Sequence, residues 1–271
     1  MLCCGAAGGK TGQAEDISAA WLLFYVAAHI FDNVEDQDDP EAWYAEYGTG
    51  MALNTGCGLF FTATLALQNL LSNHKFDSAA LEINRAFQKQ MLIMSSGQHR
   101  DLTLQFIDLD QYWQIAEQKT GAFFELACWS GTRLVTDDLL KLGYYSEFGK
   151  RLGLLLQLLD DFGDISPSLK NPILSKPREL AHSFVIAYAN TVFSKAQQKS
   201  LQDYLVLSME NNSEATRWIL NTIQSSGVDL YLLTEIERQR SLALQALNNA
   251  NPNPQYRDLL LKLVPDLLTQ G

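Results

Sequence analysis

Basic residues are scarce in this sequence: 20 Lys and Arg stand against 31 Asp and Glu, a formal charge of −11. A protein that grips a phosphate backbone needs a basic face, so nucleic acid is excluded as a partner. Cysteine is also sparse. Cys3, Cys4, Cys57 and Cys128 show no C-x-x-C spacing and no neighbouring His, which excludes a zinc site or a disulfide framework and fits a reducing compartment. Long apolar runs are missing: Ile17 to Phe31 covers about fifteen residues and stops at Asp32, short of the roughly 20 that span a bilayer. Met1 to Cys4 lacks the basic start of a signal peptide. The expectation is a soluble, cytoplasmic protein with no membrane span.

Proline is absent between Pro40 and Pro167, and the glycines there are scattered. Such an interval, rich in Leu, Ala, Gln and Glu, predicts helices joined by short turns. Ala80, Ile83, Phe87, Met91 and Met94 recur at helical steps and define one apolar face. Asp77-Ser78 and Ser213 have the character of helix starts. Breaks are expected at Ser72–Lys75, Thr136–Asp138, Ser166–Pro177, Asn211-Asn212 and Asn249–Pro254. Phe184–Tyr188 alone could pass for a strand. With 47% apolar residues and no linker or repeat, the whole of 1–271 is expected to form one all-α domain.

Gly8-Gly9-Lys10-Thr11 has the look of a nucleotide-binding phosphate loop, but Cys4 stands where that motif needs its first glycine, and no strand precedes it. The stronger signals are two acidic clusters, each ending an apolar helix. Asp32 and Asp36 lie four residues apart, as do Asp160 and Asp164, with Asp161 between and Gln157 one turn earlier. On a helix each pair projects from one face. Like charges at this spacing repel, so cations between them make sense of the arrangement. Carboxylate oxygens favour a hard divalent ion, magnesium, shared with substrate phosphates. Two such faces could hold a diphosphate between metals and aid its departure.

The order of motifs resembles the trans-prenyltransferase or polyprenyl synthetase family over almost the whole sequence. His29-Ile30-Phe31-Asp32-Asn33-Val34-Glu35-Asp36 looks like its first aspartate-rich motif, and Gly97-Gln98-His99-Arg100-Asp101 like its G-Q-x-x-D helix. Lys119-Thr120-Gly121 looks like its K-T pair. Gly153, Gln157, Asp160, Asp161 and Asp164 fall as in its second aspartate-rich motif. The resemblance implies an orthogonal helical bundle of the isoprenoid synthase type around a deep apolar pocket, a homodimer, and Mg2+ as cofactor. It implies that allylic isoprenoid diphosphates are ionised with release of pyrophosphate, with isopentenyl diphosphate as a second substrate. By carry-over, Asp32 and Asp36 bind metal from one side and Asp160 from the other, supported by Asp161 and Asp164. Lys119 neutralises diphosphate oxygens, and Gln98, Asp101, Thr120 and Gln157 surround the reacting carbon.

Several positions depart from the family pattern. Asn33 replaces the second aspartate of the first motif. Asp38-Asp39-Pro40-Glu41 stands where an Arg-Arg pair is expected, and Ala181-His182-Ser183 where the family tends to place Lys-Thr. The family's early Gly-Lys-x-x-Arg segment is expected to be missing. Those bases seat a second diphosphate. Their loss raises single-diphosphate chemistry as an alternative, either cyclisation or transfer to another acceptor. A catalytically impaired regulatory subunit is a further alternative. On the Asp32 face of the first helix, Ala28 leaves an open turn above Tyr25 and Trp21, about 10 and 16 Å below the carboxylates at ~1.5 Å per residue. These aromatics are expected to form a floor that limits product length to about two to four isoprene units.

Overall fold

The computed structural model describes residues 1–36, 42–73, 78–104, 106–170, 177–209 and 212–266, without the side chains of 164–170, 177–179 and 209. Among the described residues the chain is helical and has no strand. The first elements are α1 (Leu2–Ala6), α2 (Glu15–Asp36), α3 (Trp43–Tyr47), α4 (Thr49–Asn73) and α5 (Ser78–Thr103). Next come α6 (Leu109–Ala116), a π-helical turn (Glu117–Gly121), α7 (Ala122–Arg133) and α8 (Leu139–Lys170). The chain continues through α9 (Pro177–His182), α10 (Phe184–Val192), α11 (Lys195–Met209), α12 (Ser213–Ser225), α13 (Val228–Asn249) and α14 (Pro254–Leu261).

The chain divides into two compact units. The first holds 1–92, 124–149 and 245–263; the second holds 93–123, 150–244 and 264–271. In the first, α2 and α4 pack along each other, and Phe24, Ala27, Ala63, Leu67 and Leu70 are buried. Phe24 meets Phe60 edge-on at 4.9 Å and tilts against Phe87 of α5 at 6.0 Å. Ala80, Ile83 and Phe87 are buried as the helical spacing predicts. Thr11–Asp36 and Thr49–Asn73 are each long and apolar enough to cross a membrane by length and composition. The sequence-based run was shorter because helical structure continues through polar residues on both sides of it. The outward stripe of α4 exposes Met51, Phe61 and Leu65, with Cys57 also exposed; the other three cysteines are buried.

Phe184–Tyr188, the one strand-like run, is helical and opens α10. Its five-residue apolar run reflects burial on all sides: Phe184, Val185, Ile186, Ala187 and Ala189 are all buried. The expected break at Ser166 is also displaced, because α8 runs on to Lys170. α12 starts at Ser213 as expected, capped by Asn212, whose side-chain oxygen accepts from the Glu214 and Ala215 amides. Gly8, with φ +107°, turns the chain out of α1, and Gly9 packs where a Cβ would collide with Val135. The Gly-Gly pair therefore serves a turn and a close approach.

Candidate active site

The π-helical turn carries two of the expected site residues, Lys119 and Thr120. Its extra residue per turn re-aims side chains, and such turns are frequent at functional sites. Two glycines let neighbouring helices close on it. A Cβ on Gly97 of α5 would lie 2.9 Å from Gln118 Cβ and 3.2 Å from Lys119 Cγ. One on Gly153 of α8 would lie 2.7 Å from the Thr120 carbonyl oxygen. Lys119 and Thr120 are thus presented between α5 and α8 at backbone contact distance.

Lys119 Nζ donates to Asp101 Oδ2 at 2.6 Å, and Asp101 Oδ1 meets His182 Nδ1 at 3.0 Å. Burial would raise the Asp101 pKa, but His182 and Lys119 outweigh it and bring the carboxyl down to about 2. Thr120 Oγ1 donates to Gln157 Oε1 at 2.8 Å, and Gln157 Nε2 donates to Asp161 Oδ1 at 3.3 Å. The other Asp161 oxygen accepts the Phe184 amide at 2.8 Å. Gln98 is half-buried beside Gly97.

The second acidic cluster splits by environment. Asp160 is exposed, while Asp161 is buried, turned inward and engaged on both oxygens. Burial raises the Asp161 carboxyl to about 7 despite those hydrogen bonds. The buried Tyr112 hydroxyl lies beside it without hydrogen-bond geometry, and burial with the neighbouring carboxylate pushes its pKa well above the ordinary value. Asp161 is therefore held in the interior by both oxygens, while Asp160 faces solvent. The backbone of Asp164 continues α8, but its side chain lies outside the described residues.

In the first unit, Asp32 and Asp36 are half-buried on successive turns at the end of α2. Asn33 Nδ2 lies 3.4 Å from His29 Nε2 one turn back, so this departure from the family pattern is absorbed within the helix. Trp21, Tyr25 and His29 stack in a ladder, with Trp21 edge-on to Phe124 at 5.6 Å. Tyr25 stays 46% exposed within that ladder and Ala28 is half-buried. The acidic stretch Asp38–Glu41 lies outside the described residues.

Asp32 and Asp36 of the first unit, and separately Asp160 of the second, offer hard oxygens at least partly open to solvent, the donor type that magnesium takes. Among the described residues no group of three or more candidate ligands lies together.

The model of the polyprenyl synthetase family matches residues 1–223. The chain belongs to that family. A geranylgeranyl diphosphate synthase of Mycobacterium tuberculosis is 30% identical over 164 residues, 58% of this chain and 45% of that protein. The tryptophan prenyltransferase ComQ of Bacillus subtilis subsp. natto is 26% identical, covering 83% of this chain and 66% of that one. The matches to these curated relatives thus span less than two thirds of their own lengths. Among solved structures, a polyprenyl synthetase from Streptomyces coelicolor A3(2) superposes with a TM-score of 0.81 at 20% identity, covering 97% of this chain and 81% of that one. The geranylgeranyl pyrophosphate synthase from Lactobacillus brevis gives 0.83 at 18% identity, over 97% and 81% of the two chains. The isoprenoid synthase fold implied by the motifs is therefore the fold of this chain.

Three groups of the site were not evident from sequence. His182 had registered only as a departure from the family pattern. Its signal is a polar pair, His182-Ser183, just before a buried apolar run. Tyr112 sits among buried positions of an amphipathic helix with nothing to mark its hydroxyl. The Phe184 amide is a backbone group and leaves no trace in composition.

Proposed function

We propose that this polyprenyl synthetase is a Mg2+-dependent prenyltransferase that ionises an allylic isoprenoid diphosphate and releases pyrophosphate. The observation that carries this reading is the pairing on one π-helical turn of Lys119, held by Asp101, with Thr120, held by Gln157. Asp32 and Asp36 would hold Mg2+ in the first unit and Asp160 in the second, with Asp161 and Asp164 in support. When bound, Mg2+ would neutralise the diphosphate and make it a better leaving group. The Lys119 ammonium adds a fixed positive charge for the oxygens on which the breaking C–O bond leaves its electron pair. Gln98, Thr120 and Gln157 offer dipoles to the allylic carbon, and the Trp21–Tyr25 ladder with Ala28 limits the length of the chain.

Chain elongation with isopentenyl diphosphate is the first form of this reaction. Transfer to another acceptor is the second. It is favoured by likeness to a tryptophan prenyltransferase over most of this chain, and by Ala181-His182-Ser183 where a base is expected. We read 1–271 as one functional domain, because α5, α7, α8 and α13 each contribute residues to both units. A cytoplasmic homodimer completes the reading. The exposed apolar stripe of α4 supports it, since pairing with a second copy would cover that stripe.

The deciding experiment supplies Mg2+ and allylic diphosphates of graded length, with and without isopentenyl diphosphate, and identifies products by mass spectrometry. Pyrophosphate release with longer diphosphates supports elongation, and release indifferent to isopentenyl diphosphate supports the second form. No release with any substrate overturns the enzymatic reading and favours a regulatory subunit.

A further inference from the structure

Two hydrogen-bonded chains start from adjacent residues of the π-helical turn and end two residues apart at the junction of α9 and α10. One runs from Thr120 through Gln157 and Asp161 to the Phe184 amide. The other runs from Lys119 through Asp101 to His182. The first ends on backbone, and that backbone is locked. Phe184 is fully buried, edge-on to Tyr112 at 5.3 Å and Trp113 at 5.8 Å and stacked on Tyr231 at 5.6 Å. The second chain ends on a side chain and so depends on a single residue.

That residue is well placed to act. The Ser183 hydroxyl donates to the Leu180 carbonyl at 2.7 Å and holds the turn that aims His182 at α5. His182, Asp101 and Lys119 are 19%, 21% and 25% exposed, so water is a weak competitor for each contact. An ionised Asp101 has no proton to give, so the hydrogen between the two groups belongs to His182 Nδ1. The terminal torsion of an aspartate is soft, and a carboxylate held at one oxygen rotates. A lysine stem has four carbons of freedom, so its ammonium follows the acceptors that hold it, and Asp101 at 2.6 Å is one of them.

We propose that His182 is a positioning residue for Lys119: its Nδ1–H fixes the Asp101 carboxylate, and that carboxylate fixes the ammonium. The consequence for substrate rests on the role of Lys119 proposed above, whereas the clamp itself does not.

The clamp is read first without turnover, by acylating the protein with an N-hydroxysuccinimide ester and following Lys119 by peptide mass spectrometry against exposed Lys195. His182→Ala should raise Lys119 acylation roughly tenfold, because a loosened carboxylate no longer ties up and screens the amine. His182→Phe, which fills the space without a donor, should do the same and serves if the alanine variant does not fold. His182→Asn keeps an N–H near the Nδ1 position and should return the rate toward wild type. Equal rates in all variants overturn the proposal.

The functional consequence is read by a double-mutant cycle on KM for the allylic diphosphate. His182→Ala should raise KM roughly tenfold in the wild-type background and leave it unchanged in Lys119→Ala. Equal effects in both backgrounds overturn the coupling. If the wild type releases no pyrophosphate, the enzymatic reading has failed, and the acylation rates still decide the role of His182.

Discussion

Asp101 shares one carboxylate between an ammonium and an imidazole, and that sharing has a measurable pH signature. Its pKa is about 2 in the folded protein against an ordinary 3.8, so the contribution to stability is fully present above pH 3.8. It is lost as pH falls through about 2. The amount is about 2 kcal/mol. Urea unfolding from pH 6 downward should show the wild type losing stability more steeply than Asp101→Asn over that window. Parallel curves would mean that the carboxylate gains nothing from its partners. A second test at this scale concerns Tyr25, still half-open within its ladder. Tyr25→Ala should shift products toward longer chains, and an unchanged distribution would reduce the ladder to packing. Most first-hand chemistry here was legible in the sequence, since Lys119, Thr120, Gln157 and Asp101 stand at motif spacings. Their partners His182 and Phe184 were not, because 81 residues separate His182 from Asp101 and no local pattern records such a contact.

The helix pattern was read from proline absence and apolar spacing, and it failed where local chemistry is silent. A π-helical turn at Glu117–Gly121 has no compositional mark beyond its final glycine. The strand-like Phe184–Tyr188 misled because complete burial erases periodicity. Glycine positions in α8 give a sharper test of what the elements demand of one another. At Gly153 an added methyl would meet the Thr120 carbonyl at 2.7 Å and the Gly121 Cα at 3.0 Å, both backbone. Gly153→Ala should cost about 1–3 kcal/mol by overpacking and displace the turn that carries Lys119 and Thr120. At Gly143 the same methyl meets nothing within 4 Å. Gly143→Ala should therefore stabilise by about 0.5–1 kcal/mol through helix propensity alone. Denaturation midpoints for the two variants should move in opposite directions.

For the whole molecule, composition pointed to helices, and motif order pointed to the family. Assembly is the property least written in the sequence, because the apolar residues of α4 look alike whether they face inward or outward. Phe61 is 67% and Leu65 56% exposed one turn apart. In a homodimer built on this stripe, Phe61→Glu with Leu65→Glu should give monomers by light scattering while the helical circular dichroism persists. A wild type that is already monomeric at micromolar concentration would dismiss the interface.

Cys57 lies on that same helix and is the exposed thiol of the four. A maleimide dye should therefore attach quickly where this stripe stands open and slowly where a second copy covers it. The labelling rate, followed in a cuvette across protein concentrations, would then report whether copies of the chain come together and whether substrate changes how tightly they do.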